Sequence, residues 1–439
     1  MRCSITSLFT LLAGQGLWAQ LAAAKQVYAH YMIGTVTAGS GHAELDIDQA
    51  IAMGIDAFAL NVGNPTADWT IGTVTQLFNH ASSTSFKLFF SLDLLQSPDI
   101  TSFNTLLSDW LGHSSYLRYG AANYPLVSTF SVGANRPDYF SDWKKNDFAG
   151  EIYFVPNADT SQGYSDPDSW FAAWDLAVQG LLGWESAWPA AGTSPANVSS
   201  SQDSAVQTSA HNWGKTYMAP ISTFQFKDCC GGDYYRIGES NLPQRMTELL
   251  SLAPDFAEII TWNDAGESHY IGNIWPEGQP SDILAYANND DWPHSAWQPV
   301  IKSWIAAYKA GGDASSMSPP SGSAAVGAMW YRTIPKDAAC GGGAKPDNWQ
   351  SAADAVNYAV VVASGSAGST IRVTSGGTVI RESTAVAGLN YGSATGLKLG
   401  AQKVELVSGD SVVLAANSLK NVVSDDPACN FNYQVAPLQ

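Results

Sequence analysis

Val27-Tyr28-Ala29-His30-Tyr31-Met32 and Ala57-Phe58-Ala59-Leu60-Asn61-Val62 are two short, largely apolar runs, and Asp46–Met53 between them has helical spacing. A strand, a helix and a second strand in that order make a βα unit, and the chain repeats it. Further strands are read at Lys87–Leu92, Leu126–Ser131, Glu151–Val155, Leu181–Glu185, Thr216–Ile221 and Ala257–Trp262. Helical patterns fall at Val74–His80, Ser102–Trp110, Tyr139–Lys145 and Pro243–Leu252. The last helix is the clearest, with Trp297, Val300, Ile301, Trp304, Ile305 and Tyr308 on one face. Eight strands alternating with helices over residues 25–312 predict an α/β chain built on a (β/α)8, or TIM, barrel. An open doubly wound sheet is the alternative, but no Gly-rich nucleotide fingerprint follows the first strand.

The pattern changes at residues 313–323, where Gly311-Gly312-Asp313 and Ser318-Pro319-Pro320-Ser321-Gly322 mark a linker. Beyond it the period is two. Thr370–Ser375 and Thr378–Glu382 flank Gly376-Gly377, and Lys403–Ser408 and Ser411–Leu414 flank Gly409-Asp410. Two-residue loops between alternating strands are hairpins, so residues 324–439 predict a small C-terminal β-sandwich domain. Of 16 tryptophans, only Trp330 and Trp349 lie beyond the linker, which assigns any aromatic stacking surface to the barrel.

With 439 residues, two domains are the natural expectation. A net charge of −18 excludes nucleic acid, an anionic membrane or a polyanion as partner, and leaves a neutral one. Residues 1–24 run from basic Arg2 through the apolar Leu8–Leu12 to small residues, the order of a signal peptide. The mature chain is therefore expected to be exported, to the medium or the cell wall, as a monomer with no membrane span. Cys3 would leave with the signal. Cys229, Cys230, Cys340 and Cys429 remain, an even set without zinc-site spacing that allows three disulfide pairings. Cys340 and Cys429 bracket the sandwich and suit each other, which leaves a vicinal Cys229–Cys230 bond. Asn197-Val198-Ser199 is a glycosylation sequon in a polar stretch.

In a TIM barrel the reactive groups sit where strands end at the C-terminal face. Those positions hold His30-Tyr31, Asn61, Asp93, Asn157 and Asp159, Trp184-Glu185, and the run Trp262-Asn263-Asp264-Ala265-Gly266-Glu267-Ser268-His269-Tyr270. Carboxylates, amides and aromatics dominate, and no nucleophile elbow, HExxH or phosphate loop is present. Asp264 and Glu267 straddle an Ala-Gly bend just past an apolar strand. Glycosidic cleavage needs one protonated carboxyl on the leaving oxygen and one carboxylate at the anomeric centre, which such a bend can bring together. Taken alone, the same segment is also an ordinary polar loop with solvated acids.

Tyr28-Ala29-His30-Tyr31-Met32, Gly54–Asn61, Phe89–Asp93 and Thr261–Tyr270 closely resemble the fungal mutanase family, the α-1,3-glucanases of glycoside hydrolase family 71. The resemblance spans essentially the whole mature chain. It implies a TIM barrel followed by a β-sandwich, hydrolysis of a neutral α-1,3-glucan, and inversion without a covalent intermediate. It places the catalytic acids on Asp264 and Glu267 and a further active-site aspartate on Asp93. Around them, His30, Tyr31, Asn61, Trp184, Glu185, Trp262 and His269 are expected to bind substrate. The longer side chain makes Glu267 the expected general acid and Asp264 the base. No cofactor or metal is expected, because His30, Asp93 and His269 lack ligand spacing. The competing functions are a retaining glycosidase on another glycan and a glycan-binding protein without catalysis.

Overall fold

The computed structural model describes residues 25–158, 165–320 and 322–439. The expected signal segment and Asp159 lie outside the described residues.

Eight parallel strands form one curled sheet among the described residues. They are β1 Gln26–Met32, β2 Ala57–Val62, β3 Lys87–Asp93, β4 Tyr124–Phe130, β5 Tyr153–Pro156, β6 Gly180–Leu182, β7 Thr216–Ser222 and β8 Phe256–Ile260. Hydrogen bonding runs β5–β4–β3–β2–β1–β8–β7–β6. The two end strands meet at a parallel bridge between Asn157 and Leu182, where Asn157 Nδ2 also donates to Leu182 O at 3.1 Å. Every residue of β2 is buried. That is why its sequence is a continuous apolar run rather than an alternating one: a parallel sheet covered by helices has no wet face.

A helix follows each strand: α1 His42–Met53, α2 Asp68–Ala81, α3 Asn104–Trp110, α4 Pro137–Phe148, α5 Pro167–Trp174, α6 Ser201–Asn212, α7 Asn241–Leu252 and α8 Gln298–Lys309. Pro137 and Pro167 open α4 and α5, where a missing N–H costs nothing. The face predicted for the last helix is the buried one, Val300, Ile301, Trp304, Ile305 and Tyr308. Two helices, α5 and α6, were not anticipated. α6 buries only Asp203, Val206, Ser209 and Ala210, too few apolar positions to show a period. β6 ends three residues earlier than its apolar run suggests, so Trp184 and Glu185 stand in the turn after it.

The C-terminal part forms two four-stranded antiparallel sheets from β9 Ala325–Arg332, β10 Ala355–Val362, β11 Thr370–Ser375, β12 Thr378–Thr384, β13 Gly388–Thr395, β14 Gln402–Ser408, β15 Ser411–Asn417 and β16 Tyr433–Leu438. Their orders are β13–β10–β9–β16 and β12–β11–β14–β15, and both expected hairpins are present. Strand alternation gives the first sheet two buried faces. Met329, Tyr331 and Val360 pack toward the second sheet, while Ala328, Trp330 and Val361 join the core of the α/β part. Trp330 meets Trp297, just before α8, edge-on at 5.8 Å.

Cys340 and Cys429 are bonded as expected, with Cα atoms 5.1 Å apart. The vicinal bond is not formed. A hairpin, Gln225–Cys229 with Gly232–Arg236, inserts between β7 and α7, and its turn takes Cys230 and Gly231 through φ 58° and 80°. That turn leaves the sulfurs of Cys229 and Cys230 2.8 Å apart, beyond the roughly 2.05 Å of a disulfide, and both are free thiols.

Candidate active site

The chain leaving β8 does not run straight on. Thr261 N donates to His269 O at 2.9 Å, and Gly272 N to Trp262 O at 2.7 Å, closing residues 263–268 into a tight bend. The bend is fixed from inside by Asp264 N to Thr261 Oγ1 and Glu267 N to Asp264 Oδ1, both 3.0 Å. Ser268 sits at φ 59°, the left-handed conformation that reverses the chain. From outside, Asn263 Oδ1 accepts from Met32 N at 2.8 Å, and Tyr286 OH donates to Gly266 O at 2.7 Å. The Ala-Gly bend thus brings Asp264, Glu267 and His269 together, with an oxygen or nitrogen from each within 4.8 Å of the others.

The two carboxylates feel opposite environments. Burial raises Asp264 above the usual carboxylate range, against the charge of His269, and the neighbouring Glu267 raises it further. Burial would raise Glu267 too, but hydrogen bonds and nearby charge reverse the shift. His269 Nε2 lies 3.0 Å from Oε2, Gln225 Nε2 donates to Oε2 at 2.6 Å, and Tyr234 OH donates to Oε1 at 2.9 Å. Together they hold Glu267 well below the usual carboxylate range. Tyr234 keeps its proton to donate, because burial and the Glu267 charge raise its pKa. One carboxyl inclined to stay protonated beside one held ionised is the pairing acid–base cleavage requires. In these directions Asp264 is the carboxyl inclined to hold a proton and Glu267 the one held ionised, opposite to the order expected from side-chain length.

A profile of glycosyl hydrolase family 71 matches residues 23–439. The chain belongs to that family. It is 33% identical to a glucan endo-1,3-α-glucosidase of Schizosaccharomyces pombe, over 75% of this chain and 76% of that one. It is 30% identical to a mutanase of Penicillium rubens, over 94% of this chain and 88% of that one. Among solved structures, the family 99 endo-α-mannosidase of Bacteroides thetaiotaomicron superposes with a TM-score of 0.51 at 10% identity. That match covers 65% of this chain and 98% of the other, and it speaks to fold alone. The resemblance read from the strand-end motifs is borne out.

In this family 71 chain the remaining expected site residues separate by burial and by what they bond. Asp93 and Asn61 line one open cleft. Asp93 Oδ1 accepts from Leu95 N and Gln96 N, and burial raises its pKa against those bonds. His30 and His269 are buried supports rather than sugar contacts: His30 Nδ1 lies 2.8 Å from Glu258 Oε1, and His269 bonds Glu267 and Thr261. Tyr31 and Trp262 are fully buried, which corrects their expected stacking role. Tyr31 stacks on Phe58 and donates to Asp46 at 2.9 Å, while Trp262 packs against Phe58 and leaves no room for a Cβ at Gly272. Trp184 is nearly buried, edge-on to His30 and Phe130. Glu185 is half exposed and pairs with Arg236 at 2.8 Å.

Sequence reading missed the hairpin that supplies Gln225, Lys227 and Tyr234 around Glu267, with Lys227 Nζ 3.8 Å from Oε1. The signal was there, since Gln225–Asp228 and Asp233–Arg236 flank Cys-Cys-Gly-Gly. The cysteine pair drew attention to the turn rather than to the strands on either side. Most tryptophans of the α/β part are core; among the described residues Trp69 and Trp213 are the markedly exposed ones, at 48% and 39%.

Proposed function

We propose that this chain is an exported α-1,3-glucanase with Asp264 as general acid and Glu267 as its ionised partner. The observation that carries the reading is the convergence of Asp264, Glu267 and His269 on one bend after β8, with Glu267 tethered by the hairpin. The family membership and the names of the relatives support the substrate. We read the curled sheet as a closed (β/α)8 barrel, residues 25–312, linked through 313–323 to a sandwich, 324–439. The chain works as a monomer on a neutral glucan without cofactor, and Asn197, exposed in its loop, carries a glycan. Among the described residues no helix is long and apolar enough to cross a membrane.

In the bound complex, Asp264 donates its proton to the glycosidic oxygen as the bond to the anomeric carbon breaks. Under inversion, Glu267 takes a proton from the attacking water. The resemblance favours this course. Proton NMR of fresh digests of α-1,3, α-1,4, β-1,3 and β-1,4 glucans addresses both questions. The reading expects cleavage of the α-1,3 polymer with the β-anomer appearing first. An initial α-anomer assigns retention, and cleavage confined to another glucan removes the substrate assignment.

A further inference from the structure

A cleft of about 540 Å³ opens beside the catalytic bend, within the size range of small-molecule sites. It is built where the loops after β1, β2 and β3 meet, on the face where a barrel places its ligands. The cleft adjoins the catalytic loop directly, because Asn263, the neighbour of Asp264, bonds Met32 and Thr35, which line it. At its mouth stands Trp69, in the first turn of α2 and 48% exposed, with its six-membered ring close to Gly34. A large aromatic left half in water at a cleft mouth is unusual for a ring whose role is packing.

The interior is equally distinctive. Asn61, only 7% exposed, sits in the wall of the cleft. An amide on the wall of an open cleft offers both a donor and an acceptor to the hydroxyls of a ligand. Gln96 stands exposed at the edge with its stem over Gly63, and Asp93 adds Oδ2, since Oδ1 already accepts from Leu95 N and Gln96 N. The lining holds one carboxylate and no Lys or Arg, which disfavours an anionic ligand.

We propose that this cleft is a glucosyl-binding subsite with Trp69 as its stacking platform and Asn61, Gln96 and Asp93 as its hydroxyl readers. The assignment rests on the α-glucanase reading of the neighbouring bend and deepens it: a chain crossing the catalytic pair continues over Trp69. Sugar rings offer an apolar face of C–H groups to an aromatic surface while their hydroxyls bond at the edge, and the cleft provides both partners.

The test uses the full chain carrying Glu267→Gln, titrated calorimetrically with α-1,3-linked gluco-oligosaccharides from disaccharide to hexasaccharide. Adding Trp69→Ala should weaken hexasaccharide binding by roughly 3- to 10-fold and disaccharide binding by less. Trp69→Phe should recover most of the loss. In the otherwise unaltered enzyme, Trp69→Ala should raise KM for long oligosaccharides more than it lowers kcat. Hexasaccharide affinity that is unchanged, absent, or reduced equally at every chain length overturns the subsite. Because the titration needs no turnover, it stands apart from the activity assay: an enzyme that cleaves α-1,3-glucan with a Trp69-independent affinity keeps the function and loses this proposal.

Discussion

Glu267 receives hydrogen bonds from three segments of the chain: His269 on its own loop, and Gln225 and Tyr234 on opposite strands of the hairpin. Each bond favours the ionised carboxylate, so removing one raises its pKa. If Glu267 must be ionised and Asp264 protonated, kcat/KM follows a bell. Its acid limb follows Glu267, below the usual carboxylate range, and its alkaline limb follows Asp264, above it. Tyr234→Phe deletes one charge-assisted bond, typically about 1.5–3 kcal/mol, and should move the acid limb up by about one to two pH units while leaving the alkaline limb near its place. A pH profile in which both limbs are unmoved would show that Tyr234 does not set the charge of Glu267.

At the scale of elements, the hairpin links the C-terminal sheets to the catalytic bend. On one side Phe226 N donates to Glu267 O at 3.0 Å; on the other Tyr235 N donates to Asp347 O, and Asp347 N to Asp233 O, both at 2.8 Å. The start of β16 and the residues just before it pack against the base of the hairpin, where Tyr433 OH and Tyr235 OH lie 2.7 Å apart and Phe431 sits edge-on to Tyr235. Cys429 pins that segment through its bond to Cys340, 89 residues away. Cys340→Ser with Cys429→Ser should therefore lower unfolding free energy by about 2–5 kcal/mol. Denaturant unfolding of the oxidised parent and the double variant measures it, and equal midpoints would show that the bond constrains nothing. This coupling was hidden in the sequence, because contacts between Asp347 or Tyr433 and a hairpin far upstream leave no local period. The hairpins around Gly376-Gly377 and Gly409-Asp410 were legible because each is set by neighbours in the chain.

Over the whole molecule, periodicity revealed the eight parallel strands, since strands buried on both faces read as apolar runs. It failed for α6, where polar residues dilute the helical pattern, and for the tryptophans, since a large ring reads alike whether it fills a core or meets a ligand. The proposed pair was legible because both acids sit in one short segment; Gln225 and Tyr234, which help to set the charge of Glu267, come from a distant one. The direct measurement is reducing-end release from α-1,3-glucan by Asp264→Asn and Glu267→Gln, each checked for native circular dichroism and unchanged unfolding. Losing a positioned acid or base ordinarily costs a factor of roughly 10²–10⁴, so both variants should fall at least a hundredfold with their folds intact. Either variant keeping more than about a tenth of the parent rate, a loss under about 1.4 kcal/mol, would contradict the assignment.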